Sequence, residues 1–184
     1  METTKKNKTY LLVCAALMAA VLCILAPLSL PIGPVPISLA TLVVYLMTYV
    51  LGSRMATVSC LVYLLIGLAG LPVFSGFSGG PSKLFGPTGG YLIGYLFSAF
   101  IGGLFIEKFP RRIPLHILGL VLGTAALYFV GTFWLAFQLQ LSASAALAAG
   151  VLPFLLGDAL KIAVAVLIGP VIRNRLTETG LLAG

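Results

Sequence analysis

The chain has 184 residues, of which 60% are hydrophobic and 8% charged, and its mean hydropathy is +1.15. A soluble domain of this length carries about 25% charged residues, so this inventory cannot build a water-facing surface. Residues 1–184 suit one membrane domain with no separate soluble one. The formal net charge of +7 does not point to nucleic acid, because the basic residues stand at the ends of apolar segments, as topology signals do.

A spanning helix needs about 20 mostly apolar residues, and six segments qualify or come near. The first covers 9–26 and stops at Pro27. Lys5, Lys6 and Lys8 precede it, but its apolar run exceeds the roughly 7–15 residues of a signal peptide and no A-x-A site follows. The sequence therefore predicts an uncleaved first helix. The second covers 37–51 with Gly52 as its C-cap, and the third, rather short, covers 55–70. Gly52-Ser53-Arg54 joins them as a tight helical hairpin. The fourth covers 90–106, the fifth 113–137, and the sixth, entered through Pro153, covers 151–172.

Orientation follows from the Lys and Arg count. Lys5, Lys6, Lys8, Arg54, Lys108, Arg111, Arg112, Arg173 and Arg175, nine of the eleven basic residues, fall on one side. That side is the cytoplasm by the positive-inside rule, so both termini are predicted there. Lys83 stands on the other side and Lys161 lies within the sixth helix.

Three connections then face outward: 27–36, 71–89 and 138–150. The first holds four prolines in ten residues, too stiff to continue a helix. In the second, the stretch from Gly70 to Gly90 has seven glycines and three prolines. It also carries Leu71, Val73, Phe74, Phe77, Leu84 and Phe85, which predict a folded cap over the bundle rather than a free linker.

Asp158 and Lys161 are the strongest chemical signal. A charge inside a spanning helix costs roughly 2.5–3.5 kcal/mol, and the i, i+3 spacing puts both on one face, where they neutralise each other. At about 1.5 Å per residue from Val151 they sit roughly 10–15 Å below the outer surface. They read either as the polar floor of an outward pocket or as a structural ion pair. Gly86-Pro87-Thr88-Gly89-Gly90-Tyr91 opens the fourth helix with Gly-rich backbone, which can expose N–H groups to a carboxylate. A tight turn with close helix packing explains the same run. Trp134, the only tryptophan, reads as an interfacial belt residue or as a pocket wall. Ala15 with Ala19, and Ala16 with Ala20, form small-residue faces for another helix, inside this chain or in a partner. His116 has no visible ligand partners and receives no role. Cys14, Cys23 and Cys60 lie in apolar stretches without CxxC spacing and read as small apolar side chains, so neither disulfide nor metal is expected. The carboxylates Glu2, Glu107, Asp158 and Glu178 lie far apart, and no catalytic or nucleotide motif appears. Uphill transport would draw its energy from a partner or an ion.

Five runs occur in order along nearly the whole chain: Pro34-Val35-Pro36-Ile37; Gly70-Leu71-Pro72-Val73-Phe74 through Gly79-Gly80; Gly86-Pro87-Thr88-Gly89-Gly90-Tyr91-Leu92-Ile93-Gly94; Gly131-Thr132-Phe133-Trp134-Leu135; and Gly157-Asp158-Ala159-Leu160-Lys161. Together they resemble the BioY family of biotin transporters, the substrate-binding S components of energy-coupling factor (ECF) transporters. One departure is Ala40, where the family pattern often has a Gln three residues after Pro-Val-Pro-Ile; a polar group near the outer end of helix two is thereby removed.

The resemblance implies an all-α membrane protein: a compact bundle of six transmembrane helices, with cytoplasmic termini and an outward-facing biotin pocket capped by loops. It implies no enzymatic activity, no cofactor, and a place in a prokaryotic plasma membrane. It further implies assembly with a transmembrane T component and two ABC-type ATPases, docking through Ala15, Ala16, Ala19 and Ala20, and delivery of biotin by toppling in the bilayer. In such a pocket Asp158 and Lys161 would match the ureido ring, while Phe74, Phe77, Tyr91 and Trp134 would hold the apolar parts. The carboxylate would meet Lys83 or the backbone of Thr88, Gly89 and Gly90, although the Lys161 ammonium can instead bind the carboxylate. An S component for another vitamin, an ion-coupled carrier with Asp158 as cation site, and a ligand-free assembly subunit are the competing readings.

Overall fold

A computed structural model describes residues 2–31 and 34–178, with side chains from Thr9 onward. Lys5, Lys6 and Lys8, expected to mark the cytoplasmic N-terminus, lie outside the described side chains, and positions 32 and 33 of the proline-rich connection lie outside the described residues. The elements are α1 (Glu2–Leu25), β1 (Ser29–Leu30), β2 (Ile37–Ser38), α2 (Ala40–Leu68), α3 (Pro81–Leu84), α4 (Gly89–Lys108), α5 (Ile113–Leu139), α6 (Ala143–Gly150) and α7 (Leu152–Glu178). Apart from one two-residue strand pair the architecture is helical. Four stretches are long and apolar enough to cross a membrane: Ala40–Leu68, Gly89–Lys108, Ile113–Leu139 and Ala143–Glu178; a shorter apolar stretch runs from Thr9 to Leu25.

The helix ends follow local chemistry. α1 begins at Glu2, ahead of the expected residue 9, because no Gly or Pro interrupts 2–25. It stops before Pro27, which has no N–H and whose ring disfavours helix in the residue before it. The proline-rich connection that follows folds back as an antiparallel pair, Ser29 opposite Ser38 and Leu30 opposite Ile37.

The expected hairpin between helices two and three turns on a single residue. α2 is helical from Ala40 to Leu68 except at Gly52 (φ 71°, ψ −171°), backbone that an L side chain resists. A Cβ there would also collide with the Glu107 carboxylate, whose Oε2 accepts from Ser53 Oγ at 2.5 Å. The limbs on either side of Gly52 return to one loop layer. Leu39 N–H donates to Leu28 O at 3.4 Å, Gly80 N–H to Gly67 O at 2.7 Å, and Gly76 N–H to Pro27 O at 3.1 Å.

α4 and α5 pack with backbones close together, since a Cβ at Gly94 would press on Leu127 and one at Gly123 on Ser98. His116 is buried where they meet: its Nε2 donates to Phe109 O at 2.9 Å and its Nδ1 lies 3.4 Å from the Tyr49 hydroxyl.

Two segments carry more helix than the sequence reading assigned. The connection 138–150 contains α6, which is capped by Ser142, whose Oγ accepts from Ala145 N–H at 3.3 Å. Five alanines in its eight residues explain the helix. α7 continues past the expected end at 172 to Glu178, with Pro170 inside it.

The 71–89 segment is a folded cap, as its apolar content predicts. Phe74 is fully buried, meets Tyr63 edge-on at 5.4 Å between ring centroids, and fills the space beside Gly67. Its neighbour Phe77 is 65% exposed and adopts φ 54°.

Loops therefore gather at one end, while Arg54, Lys108, Arg111, Arg112, Arg173 and Arg175 gather at the other. At that basic end Arg173 Nη1 donates to Tyr49 O at 3.1 Å.

Candidate functional site

Asp158 and Lys161 lie one turn apart on α7 and form an ion pair of 2.9 Å, with side chains only 7% and 13% exposed. Three other elements complete the site. β2 presents the Ser38 carbonyl, and α2 presents Thr41 in its first turn. α5 presents Tyr128. Lys161 Nζ donates to Ser38 O at 2.8 Å, Thr41 Oγ1 at 2.8 Å and Asp158 Oδ1 at 2.9 Å. Asp158 Oδ1 also accepts from Thr41 Oγ1 at 3.0 Å, and Oδ2 accepts from the Tyr128 hydroxyl at 2.6 Å. All three ammonium donors and both carboxylate oxygens are engaged. That offsets the desolvation of two charges in an apolar bundle.

A cavity of about 40 Å³ lies over this network, walled by Tyr91, Tyr95, Leu127 and Phe154. On the loop side a groove of about 490 Å³ runs between the β1–β2 hairpin and the Gly76-Phe77 tip. Ser38 and Lys161 border both spaces. Ligand pockets for small molecules run about 300–1,000 Å³, so the small cavity over the network falls well short of that size and the outer groove lies within it.

Of the residues singled out from sequence, Asp158, Lys161 and Tyr91 converge on the cavity, and Phe77 borders the outer groove. Tyr91 is held by its hydroxyl, which donates to Gly150 O at 3.0 Å and lies 3.2 Å from Thr132 Oγ1. Thr88, Gly89, Gly90, Trp134, Phe74 and Lys83 are not brought there. Gly89 N–H is taken by Gly86 O at 3.0 Å, and a Cβ on Gly89 would strike the Leu84 carbonyl. Gly90 packs against Trp134 Cβ, while Trp134 Nε1 donates to Gly86 O at 3.0 Å. Thr88 is buried and makes no capping hydrogen bond. The run from Gly86 to Tyr91 thus has the geometry of a tight turn buttressed by Trp134. Phe74 anchors the cap from beneath, and Lys83 on α3 borders neither space.

The alanine faces of α1 divide. Ala15 and Ala19 are buried against α2, with Ser59 Oγ donating to Ala15 O at 2.9 Å. Ala16 and Ala20 are exposed beside Leu17.

Thr41, Tyr128, Tyr95 and Ser38 were not identified from sequence. A signal existed for Thr41, which adjoins Ala40, and for the two tyrosines, which bring hydroxyls into apolar spans. Among the described residues no cluster of His, Cys, Asp and Glu is placed to hold a metal ion.

A helical multi-pass membrane protein with a buried charge pair under a loop-covered cavity is the class these features define. Comparison with known proteins makes it specific. The model of the BioY family matches residues 1–178. The biotin transporter BioY of Thermotoga maritima is 39% identical over 157 residues, covering 85% of this chain and 92% of that protein. The biotin transporter BioY2 of Lactococcus lactis is 38% identical over 177 residues, covering 95% and 96%. The crystal structure of the S-component for biotin from an ECF-type ABC transporter superposes with a TM-score of 0.85 at 33% identity, covering 92% and 93% of the two chains. The chain belongs to the BioY family, a family of transporters and not of enzymes.

Proposed function

We propose that this chain is the biotin-binding S component of an ECF-type vitamin transporter. The observation that carries the reading is the Asp158–Lys161–Thr41–Tyr128 network beneath a loop-covered space, in a chain of this family. Biotin's ureido ring has two N–H donors and one carbonyl acceptor. Asp158 accepts from the ring N–H groups, and Lys161 with Thr41 or Tyr128 donates to its carbonyl. Charge-assisted bonds in a water-poor site are the strong kind. The thiophene ring and valeryl chain lie against Tyr91, Tyr95 and Phe154, and the carboxylate points into the outer groove below Phe77.

The chain crosses a prokaryotic plasma membrane six times: α1, the two limbs of α2, α4, α5 and α7. Both termini and the basic end are cytoplasmic, as the Lys and Arg distribution requires. The exposed Ala16 and Ala20 face meets a transmembrane T component. Two ABC-type ATPases drive the toppling that delivers biotin inward, and no cofactor takes part.

Calorimetry on the purified protein tests this. Tight biotin binding with none for thiamine or riboflavin, abolished in Lys161→Ala, supports it. Tight binding of another vitamin, or biotin affinity unchanged in Lys161→Ala, overturns it. Uptake by the lone protein in liposomes would identify an ion-coupled carrier instead.

A further inference from the structure

α5 and α7 diverge along the face opposite the rest of the bundle and leave a groove of about 640 Å³ between them, lined almost wholly by apolar atoms. On α5 it extends from Ile117 to Tyr128 and on α7 from Leu167 to Leu155. Eleven residues of helix span about 16 Å, half of the roughly 30 Å hydrocarbon core. The groove is therefore about as long as one leaflet is thick, with its inner end at Ile117 and Leu167 facing the basic end.

It leads to a recess of different character. Beyond Ile117 and Leu167 lies a polar pocket of about 330 Å³ bounded by Pro110, Arg111, Arg173, Asn174, Thr177 and Glu178. The two line up on one face, because Arg173 follows the groove residue Val166 by seven positions and Asn174 follows Leu167 by seven, two helical turns in each case. Glu178 is engaged by Arg175 at 3.4 Å. Arg173 donates to the Tyr49 carbonyl, and neither it nor Arg111 forms a salt bridge among the described residues. The recess therefore presents, at the inner mouth of the apolar groove, two cations that form no salt bridge among the described residues. The Glu107 carboxylate acts on Arg173 through space, and Glu178 stands on the rim.

We propose that this is a phospholipid site, with an anionic headgroup held by Arg111 and Arg173 and acyl chains laid between α5 and α7. Basic pockets between membrane helices suit such headgroups, and bidentate Arg–phosphate pairing supplies strength. The position has a consequence for the polar network, since Asp158 and Tyr128 line the groove as well as the cavity. Acyl chains that reach up the groove toward these two residues would cover the bilayer side of a buried charge.

Native mass spectrometry of the full chain in mild detergent tests this, with dioleoyl phosphatidylglycerol and dioleoyl phosphatidylcholine as probes. One phosphatidylglycerol is expected to be retained at least tenfold more than phosphatidylcholine. The preference is expected to fall at least fivefold in Arg111→Gln, whose site is exposed, and in Arg173→Gln. It should persist in Arg54→Gln, a control for general basic charge at that end. Ala163→Phe, which fills the groove, should lower retention of both lipids, and glycerol 3-phosphate should not displace the bound lipid. Equal retention of the two lipids, an equal loss in Arg54→Gln, or displacement by glycerol 3-phosphate overturns the proposal. So does a protein dimer that Ala163→Phe dissolves while lipid retention is unchanged.

Discussion

Lys161 Nζ lies 2.8 Å from Thr41 Oγ1, a residue 120 positions earlier in the chain. This contact ties the last helix to the first turn of α2 and turns a one-helix ion pair into a link between helices. Each member of the network is then both a candidate ligand contact and a structural tie, and the two roles can be separated by mutation.

Removing Lys161 alone leaves Asp158 buried with hydrogen bonds but no countercharge, which costs about 3–5 kcal/mol in buried pairs. Lys161→Ala is expected to lower the melting temperature as well as abolish biotin binding. The double variant Asp158→Asn with Lys161→Met should regain most of the stability and none of the binding. Thermal unfolding and calorimetry on the same detergent samples separate the effects; recovery of binding in the double variant would show that the pair is structural only.

Tyr128 and Trp134 stand six residues apart on α5 but have different duties. Tyr128→Phe removes a 2.6 Å bond to Asp158, and a hydrogen bond to a charged group contributes about 1.5–3 kcal/mol. Biotin affinity is expected to fall tenfold or more. Trp134→Phe removes only the bond to Gly86 O, at about 1 kcal/mol, and should change affinity less than fivefold. Calorimetry of both variants checks the order, and the reverse order would place Trp134 on the ligand.

At Gly52 the backbone and the space both exclude a side chain. Gly52→Ala is expected to destabilise the bundle by about 1–3 kcal/mol, the range for a residue held in disfavoured backbone. Adding Glu107→Ala should recover only part of the loss, because it removes the collision and leaves the positive φ. Denaturation midpoints of the single and double variants measure the division.

The split alanine face gives opposite expectations for neighbouring positions. Ala19→Leu overpacks the α1–α2 contact and should cost about 1–3 kcal/mol in stability. Ala16→Leu points outward, should leave the melting temperature unchanged, and should weaken co-purification of the T component. A normal pull-down in Ala16→Leu would remove that face from the proposed docking surface.

Much of this was legible in the sequence because the membrane makes errors expensive. Charges at depth are rare enough that Asp158 and Lys161 stood out on spacing alone, and Pro27 and Gly52 ended helices for reasons local to the backbone. Thr41 and Tyr128 were not legible. A hydroxyl in an apolar helix declares no partner, and only the register of α2 and α5 against α7 shows which ones face Asp158. Trp134 and the glycine run were ambiguous for a related reason: Gly89 N–H and Trp134 Nε1 both donate to Gly86 O, and no spacing rule reveals that one carbonyl takes both donors. The helix at 143–150 was hidden by its own composition, since an alanine-rich stretch between two spans reads equally as connector.

The Ser38 carbonyl has a consequence for selectivity. Held on the Lys161 ammonium at 2.8 Å, it would act as an internal competitor in the proposed binding mode, a backbone acceptor standing where the solute's acceptor would arrive. Capture in that mode would be an exchange in which the β1–β2 hairpin gives up its hold on α7. A solute lacking a carbonyl or carboxylate oxygen to take that place leaves a buried ammonium short of one partner. Sites built around such groups reject analogues that cannot satisfy them by about 10⁴-fold or more. The same single contact would thus screen the solute and release the loop that admits it.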